Sequence, residues 1–325
     1  MQQRPFKQVD VFTAQAYLGN PLAVVLDGNG LSTEEMQHFS RWTNLSETTF
    51  LLPPTPEATA QGADYQVRIF TPGYEMPFAG HPTLGSCHAW LEHGGVPQKP
   101  GMVVQQCKVG LININQSGGR PAFAAPPLQR SEATPELVQA LADALGLPLA
   151  DIIASQHLNN GPAHFGLLVN DHAMLLGLKP DAAKLNTVIS AAGISGVGVA
   201  TVQAIAPATG LIGRSNREAR AFAGGGGGDG SASASSAADS SDQPTVEVRF
   251  FFDHGKAIGE DPVTGSFNAS LAQWLIATGH APTQYTAAQG TCIGVQGRVH
   301  IHQDATGQVW VGGDAVTCIN GTVLL

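Results

Sequence analysis

One strand–loop–helix pattern is written into this chain twice. The first copy reads Phe78-Ala79-Gly80-His81-Pro82-Thr83-Leu84-Gly85-Ser86, and the second reads Ile258-Gly259-Glu260-Asp261-Pro262-Val263-Thr264-Gly265-Ser266. Setting His81 against Asp261 brings proline, glycine and serine into register without a gap. Ala89 and Leu91 then meet Ala269 and Leu271. Each copy follows a similar strand, Val67-Arg68-Ile69-Phe70 in one case and Val248-Arg249-Phe250-Phe251 in the other. A motif that recurs once in each half of 325 residues predicts two similar domains facing each other. Proline suits the first position of a helix, where its missing N–H leaves nothing unpaired. The spacing therefore predicts His81 and Asp261 at two helix caps, where free backbone N–H groups favour an anion. The expectation is an anionic substrate held between two helix starts.

Charge and composition narrow the class. A formal charge of −9 with no Lys/Arg cluster argues against a nucleic-acid surface, and no apolar run approaches membrane-spanning length. Met1 to Asp10 lacks the apolar core of a secretory signal. The four cysteines, Cys87, Cys107, Cys292 and Cys318, lie far apart and predict neither a zinc site nor a disulfide framework. A cytoplasmic protein with free thiols is the reading.

Local signals place many elements. Ser32 with Glu35 forms a capping box for a helix ending near Thr43. Thr134-Pro135 opens a helix that Gly146 closes, and a further helix is expected over Ala182 to Ala192. Leu45 to Leu52 reads as a strand, and Val199 to Ile205 is expected to pair with Val246 to Phe252. The second repeat helix is expected over Pro262 to Thr278. Both repeat helices carry few charges on any face, which predicts that each is enclosed by strands. Residues 1–125 and 126–325 form the two expected domains, with Pro121 to Pro127 as the crossing and the last strand returning to the N-terminal half. Gly224 to Asp242, five glycines followed by Ser, Ala and Asp, predicts a disordered surface insertion, and the run lacks the ending of a phosphate loop.

Alternation on the strand puts Leu45, Glu47, Thr49 and Leu51 on one face. Neither face is wholly solvated, so burial would raise the pKa of Glu47 and suit it to proton transfer. The alternative is an ion pair with Arg41 or Arg68. His81 is either an acid/base or a residue that closes the helix end, and Asp261 is either functional or an ordinary N-cap. His300 and His302 share a strand face, but no third metal ligand is evident.

Val9-Asp10-Val11-Phe12-Thr13, Gly19-Asn20-Pro21-Leu22-Ala23-Val24-Val25, Asn44-Leu45-Ser46-Glu47-Thr48-Thr49-Phe50, the Gly80-His81-Pro82 loop and Glu260-Asp261-Pro262-Val263-Thr264-Gly265-Ser266 together resemble the phenazine biosynthesis PhzF-like family. The resemblance implies an α+β fold like that of diaminopimelate epimerase: two pseudo-symmetric domains, each a β-sheet curled around a central helix, with the site in the cleft. It implies a cofactor-independent isomerase acting on a small carboxylate, and a homodimer. Glu47 matches the family's catalytic carboxylate, and His81 and Asp261 match its polar partners. Asn20, Ser46, Gly80, Gly265 and Ser266 fall where substrate contacts are expected, with backbone amides holding the carboxylate. Gly80 and Asp261 stand where related racemases carry cysteines, so a two-thiol mechanism is disfavoured. Two departures, Phe267 after Thr-Gly-Ser and the missing Arg after Gln289-Gly290, bear on the substrate. An amino or hydroxy acid epimerase and a non-catalytic metabolite-binding protein are the alternatives.

Overall fold

The duplication extends through the whole strand order. In the computed structural model, which describes residues 1–203, 243–253 and 257–325, Gln3–Val11 pairs antiparallel with Asn20–Val25, which runs parallel to Glu47–Leu52. Glu47–Leu52 is antiparallel to Tyr65–Phe70, which runs parallel to Met102–Cys107, itself antiparallel to Gly110–Asn115. The second half repeats that alternation through Ile152–Asn159, Ala163–Val169, Gly196–Val202, Val246–Asp253, Gln284–Gln289 and Gly297–Gln303. Ala122–Ala124 bridges the halves by pairing with both Gly110–Asn115 and Val309–Gly312, so the expected crossing contains a strand. The last strand, Ala315–Leu324, pairs with Gln3–Val11. The insertion expected over 224–242 lies outside the described residues. No helix among the described residues is long and apolar enough to cross a membrane.

Each half encloses one 13-residue helix, Gly80–Glu92 or Gly265–Ala277. Leu84, Cys87 and Ala89 of the first are fully buried, as are Phe267, Ala269, Leu271 and Leu275 of the second. Each large aliphatic or aromatic side chain buried this way contributes roughly 1.5–3 kcal/mol. These residues join the surrounding strands in one continuous core. The remaining helices pack outside it. Thr33–Thr43 begins with the expected capping box, Pro135–Leu145 ends on Gly146 in the left-handed conformation, and Ala182–Ala192 has the expected bounds. Two short helices, Pro56–Ala60 and His172–Gly177, carry no strong periodic signal in the sequence.

The helix starts correct the gapless register. The second helix begins at Gly265, not Pro262, and its N-cap is Thr264; the first begins at Gly80 with Ala79 as N-cap. His81 is therefore the second residue of its helix and corresponds by position to Ser266, whereas Asp261 lies in the loop before the second helix. Gln289 accounts for the difference. Its Oε1 accepts from Thr264 N (3.1 Å) and Asn268 Nδ2 (2.8 Å), and its Nε2 donates to the Asp261 carbonyl (3.1 Å). Those bonds hold Asp261 to Thr264 as a loop against a distant strand.

A matched pair of ion pairs fixes the loop entrances. Arg68 forks onto Glu75 (2.8 and 2.8 Å) and lies over Phe70, while Arg249 forks onto Glu260 (3.0 and 2.7 Å) and lies over Phe251. The surroundings differ. Arg249 and Glu260 side chains are 7% and 9% exposed, and Arg249 Nη1 also donates to the carbonyls of Leu175 (3.1 Å) and Leu178 (2.9 Å). Glu75 keeps a second partner in Lys108 (2.8 Å). Arg249→Ala is therefore expected to cost about 3–5 kcal/mol, because it strands a buried carboxylate. Arg68→Ala should cost less, about 1 kcal/mol, because Lys108 still pairs with Glu75 and the Arg68 side chain is itself 23% exposed. Urea unfolding of both variants checks this, and equal losses would contradict it.

Candidate active site

The two enclosed helices meet end to end. A Cβ built on Gly80 would lie 2.6 Å from the Gly265 carbonyl carbon and 2.8 Å from Ser266 N, and one on Gly265 would lie 2.9 Å from His81 N. Neither glycine has a positive φ, so close approach of two backbones is the reason no side chain fits. Neither helix start is capped by a side chain. Two sets of free N–H groups, each reinforced by its helix dipole, therefore converge on one spot.

A small pocket of about 40 Å³ opens there, with Glu47, Gly80, His81, Asp261, Gly265 and Ser266 in its wall. Six of the expected site residues are thus brought together from both halves of the chain. Asn20 is fully buried behind them and donates from Nδ2 to Asp261 Oδ1 (3.2 Å) and to the Val263 carbonyl (2.9 Å). Its place is that of a support for Asp261. Ser46 faces an adjoining cavity of about 340 Å³ that shares Thr71, Tyr74, Ser195 and Phe252 with the first.

Glu47 opens its strand and faces the first enclosed helix, as Thr49 does by accepting from Ser86 Oγ (3.0 Å). The expected alternative, a pairing with arginine, is overturned: Arg68 is taken by Glu75, Arg41 Nε donates to the Pro72 carbonyl, and His81 Nδ1 lies 3.1 Å from Glu47 Oε2. The side chain of Glu47 is 12% exposed. The 3.1 Å approach of His81 Nδ1 lacks hydrogen-bond geometry, so Glu47 Oε2, like His81 Nε2, has no hydrogen-bond partner among the described residues.

Burial moves the carboxyl groups and the imidazole of this cluster in opposite directions. Burial holds the Glu47 carboxyl well above the usual carboxylate range, and the Asp261 charge pushes the same way. Burial raises Asp261 to about 6; hydrogen bonds from Thr264 Oγ1 (2.5 Å) and Asn20 oppose the rise, and the charge of Glu260 adds to it. His81 is depressed to about 3 by burial, against a hydrogen bond to the Pro21 carbonyl, and is neutral at physiological pH. The folded state thus binds a proton at Asp261 more tightly than the unfolded chain does. Stability supplied by the protonated form is present below the ordinary aspartate range and is lost as pH rises from about 4 through about 6. Asp261→Asn escapes that loss, so its melting temperature relative to the wild type should climb between pH 4 and pH 7. Parallel thermal melts test the sign, and a difference that falls with pH contradicts it.

Sequence reasoning passed over His164, which also lines the cavity. Its one local signal is a lone polar ring in the apolar strand Ala163–Val169. His300, the other histidine of interest, has Nδ1 3.1 Å from Thr286 Oγ1. Phe267 does not narrow the cavity. It is fully buried in the core, and its ring occupies the space that a side chain at Gly198 would take, with the nearest ring atom 2.1 Å from a Cβ built there. None of the four cysteines lines the cavity.

The fold is of the diaminopimelate epimerase-like kind, two halves of one design with polar groups gathered where their central helices meet. The chain belongs to the phenazine biosynthesis-like family (PhzC-PhzF), whose profile matches residues 9–223 and 228–321. It is 31% identical to antisense-enhancing sequence 1 of Schizosaccharomyces pombe over 335 residues, covering 99% of each chain. It is 34% identical to trans-2,3-dihydro-3-hydroxyanthranilate isomerase of Pseudomonas aeruginosa over 176 residues, covering 53% of this chain and 60% of that one. Among solved structures, the Bacillus anthracis phenazine biosynthesis protein of the PhzF family matches with a TM-score of 0.74 at 22% identity, over all of both chains.

Proposed function

We propose that the chain is a cofactor-independent isomerase that moves a proton between carbons of a small carboxylate bound between its two domains, residues 1–125 and 126–325. The carrying observation is the convergence of Glu47 and Asp261, both with raised pKa values, on a cavity walled by two uncapped helix starts. The backbone amides at Gly80-His81 and Gly265-Ser266 hold the carboxylate. Glu47 takes a proton from one carbon and returns it to another; its raised pKa narrows the gap to a weakly acidic C–H and lets the acid form persist near neutral pH. Neutral His81 stands beside Glu47 to orient it and the substrate. Asp261, braced by Asn20 and Thr264, faces the substrate from the other half. Relatives named as trans-2,3-dihydro-3-hydroxyanthranilate isomerases support a proton-shift reaction on an unsaturated acid. We propose further that the protein acts in the cytoplasm as a homodimer.

Carboxyl groups supplied by both halves also suit removal of a proton from one face of a carbon and delivery to the other, so epimerisation is the second reading. Turnover in D2O, followed by NMR, distinguishes them. A carbon-to-carbon shift gives a product with a displaced double bond, with deuterium at the new C–H to the extent that Glu47 exchanges with solvent. Epimerisation gives the mirror configuration with deuterium at the original carbon. A positionally labelled substrate detects internal return of the same proton. A tightly bound acid that is returned unchanged, with neither deuterium nor label migration, favours a metabolite-binding protein instead.

A further inference from the structure

Gln289 closes the strand Gln284–Gln289 and is fully buried. A buried amide needs partners for its oxygen and for both of its protons. Oε1 accepts from Thr264 N (3.1 Å) and Asn268 Nδ2 (2.8 Å), and Nε2 donates to the Asp261 carbonyl (3.1 Å) and to Thr264 Oγ1 (2.9 Å). Two of these partners are backbone groups whose roles are fixed. The Thr264 N–H can only donate and the Asp261 carbonyl can only accept, so a flipped amide would lose both bonds. The second Nε2 proton is thereby committed to Thr264 Oγ1.

That commitment passes to Asp261. The Thr264 hydroxyl has a single proton, and its oxygen lies 2.5 Å from Asp261 Oδ2. With Gln289 donating to the oxygen, the hydroxyl proton goes to the carboxyl, and a donor polarised in this way donates more strongly. Asn20 is fixed by the same logic: its Nδ2 bonds the Val263 carbonyl (2.9 Å) and therefore donates to Asp261 Oδ1 (3.2 Å) as well. Relieved of Gln289, the Thr264 hydroxyl could turn and accept from a protonated Asp261, serving the acid and the carboxylate alike. Hydrogen bonds given to the charged form favour that form. Here they work against burial, which opposes ionisation most, and against the charge of Glu260. Glu260 is tied to Arg249, while Glu47, His81, His164 and Tyr74 share the pocket wall with Asp261 from other elements.

We propose that Gln289 is a positioning residue for the reaction: it locks the Thr264 hydroxyl toward Asp261 Oδ2, so that the loop stabilises the carboxylate form of Asp261 and not its acid form. Its part in turnover rests on the reading above, in which Asp261 faces the substrate. The lock itself is a property of the free protein.

The test follows the Asp261 carboxyl by carbon NMR as pH is varied, without substrate, the signal being assigned by its absence from Asp261→Asn. The wild-type midpoint is expected at about 6. Thr264→Val should raise it by about one to two pH units, the worth of a hydrogen bond to a charged group, and Thr264→Ser should restore it. Gln289→Met should also raise the midpoint while Thr264 is present, and raise it no further in the Thr264→Val background, because Gln289 acts through that hydroxyl. An unchanged midpoint in folded Gln289→Met, or an equal rise in both backgrounds, overturns the proposal and leaves the isomerase reading standing. Loss of the isomerase reading would come from the turnover experiments and would leave this titration unaffected. If Gln289→Met does not fold, neutron diffraction of the deuterated wild type decides. A Thr264 deuteron lying between Oγ1 and Asp261 Oδ2, with a Gln289 deuteron directed at Oγ1, supports the lock, and a Thr264 deuteron turned elsewhere overturns it.

Discussion

Glu47→Gln should fold normally and lose turnover by a factor on the order of 10²–10⁴ or more, the usual worth of a general acid/base. Glutamine keeps the shape of the side chain and can still reach His81, but it can neither accept nor return a proton. The cavity wall stays filled, and the two helix starts keep their free N–H groups, so binding of the substrate carboxylate is expected to survive. Stability should hold or rise. The wild-type carboxyl is buried beside Asp261, which makes its charged form costly, and an amide removes that cost. Rates with a turned-over acid, read alongside thermal melts, provide the check. Near-normal turnover in the variant would take Glu47 out of the mechanism, and lost turnover together with a large fall in Tm would assign it to the fold.

Gly80→Ala and Gly265→Ala are expected to damage both stability and activity. The added carbon at position 80 meets the Gly265 carbonyl carbon at 2.6 Å and its Cα at 2.8 Å. These are backbone atoms, which cannot rotate aside as a side chain would. Relief requires the helix starts to separate, and both are locked into the cores of their halves. Overpacking of this kind costs typically 1–3 kcal/mol. A displacement near 1 Å at groups that position substrate costs about 100-fold in rate. Gly118→Ala is the control, since a Cβ there meets nothing within 4 Å. Equal behaviour of Gly118→Ala and Gly80→Ala in melting and activity would contradict the close-approach argument. The same crowding explains why position 80 cannot carry a catalytic cysteine: no side chain has room there.

Helix ends that depend on residues a few positions away were legible from the sequence. Ser32 and Glu35 satisfy each other's backbone partners, and Gly146 closes its helix through its own left-handed φ. The enclosure of both repeat helices followed from their lack of charge, and the strand alternation turned Glu47 inward. The repeat itself was visible, but its register was not. Identical letters at Pro82 and Pro262 suggested one correspondence, while the fold pairs Gly80 with Gly265. Sequence identity cannot report the four bonds by which the Gln289 side chain draws the second loop out of helical form.

By itself, then, the sequence determined a duplicated architecture with two enclosed helices, because caps, alternation and motif order are properties of neighbouring residues, while the α+β class and the gathering of Glu47, His81 and Asp261 were implied by the family resemblance. Tertiary structure alone decided what those residues face. Glu47 meets His81 rather than an arginine, Asn20 turns to Asp261 rather than to the cavity, and Phe267 withdraws into the space left by Gly198. It also brings His164 against Ser266, from a strand whose pattern marks it only as buried. Each of these outcomes rests on a contact between residues distant in the chain, where packing and desolvation act and local propensity has no reach.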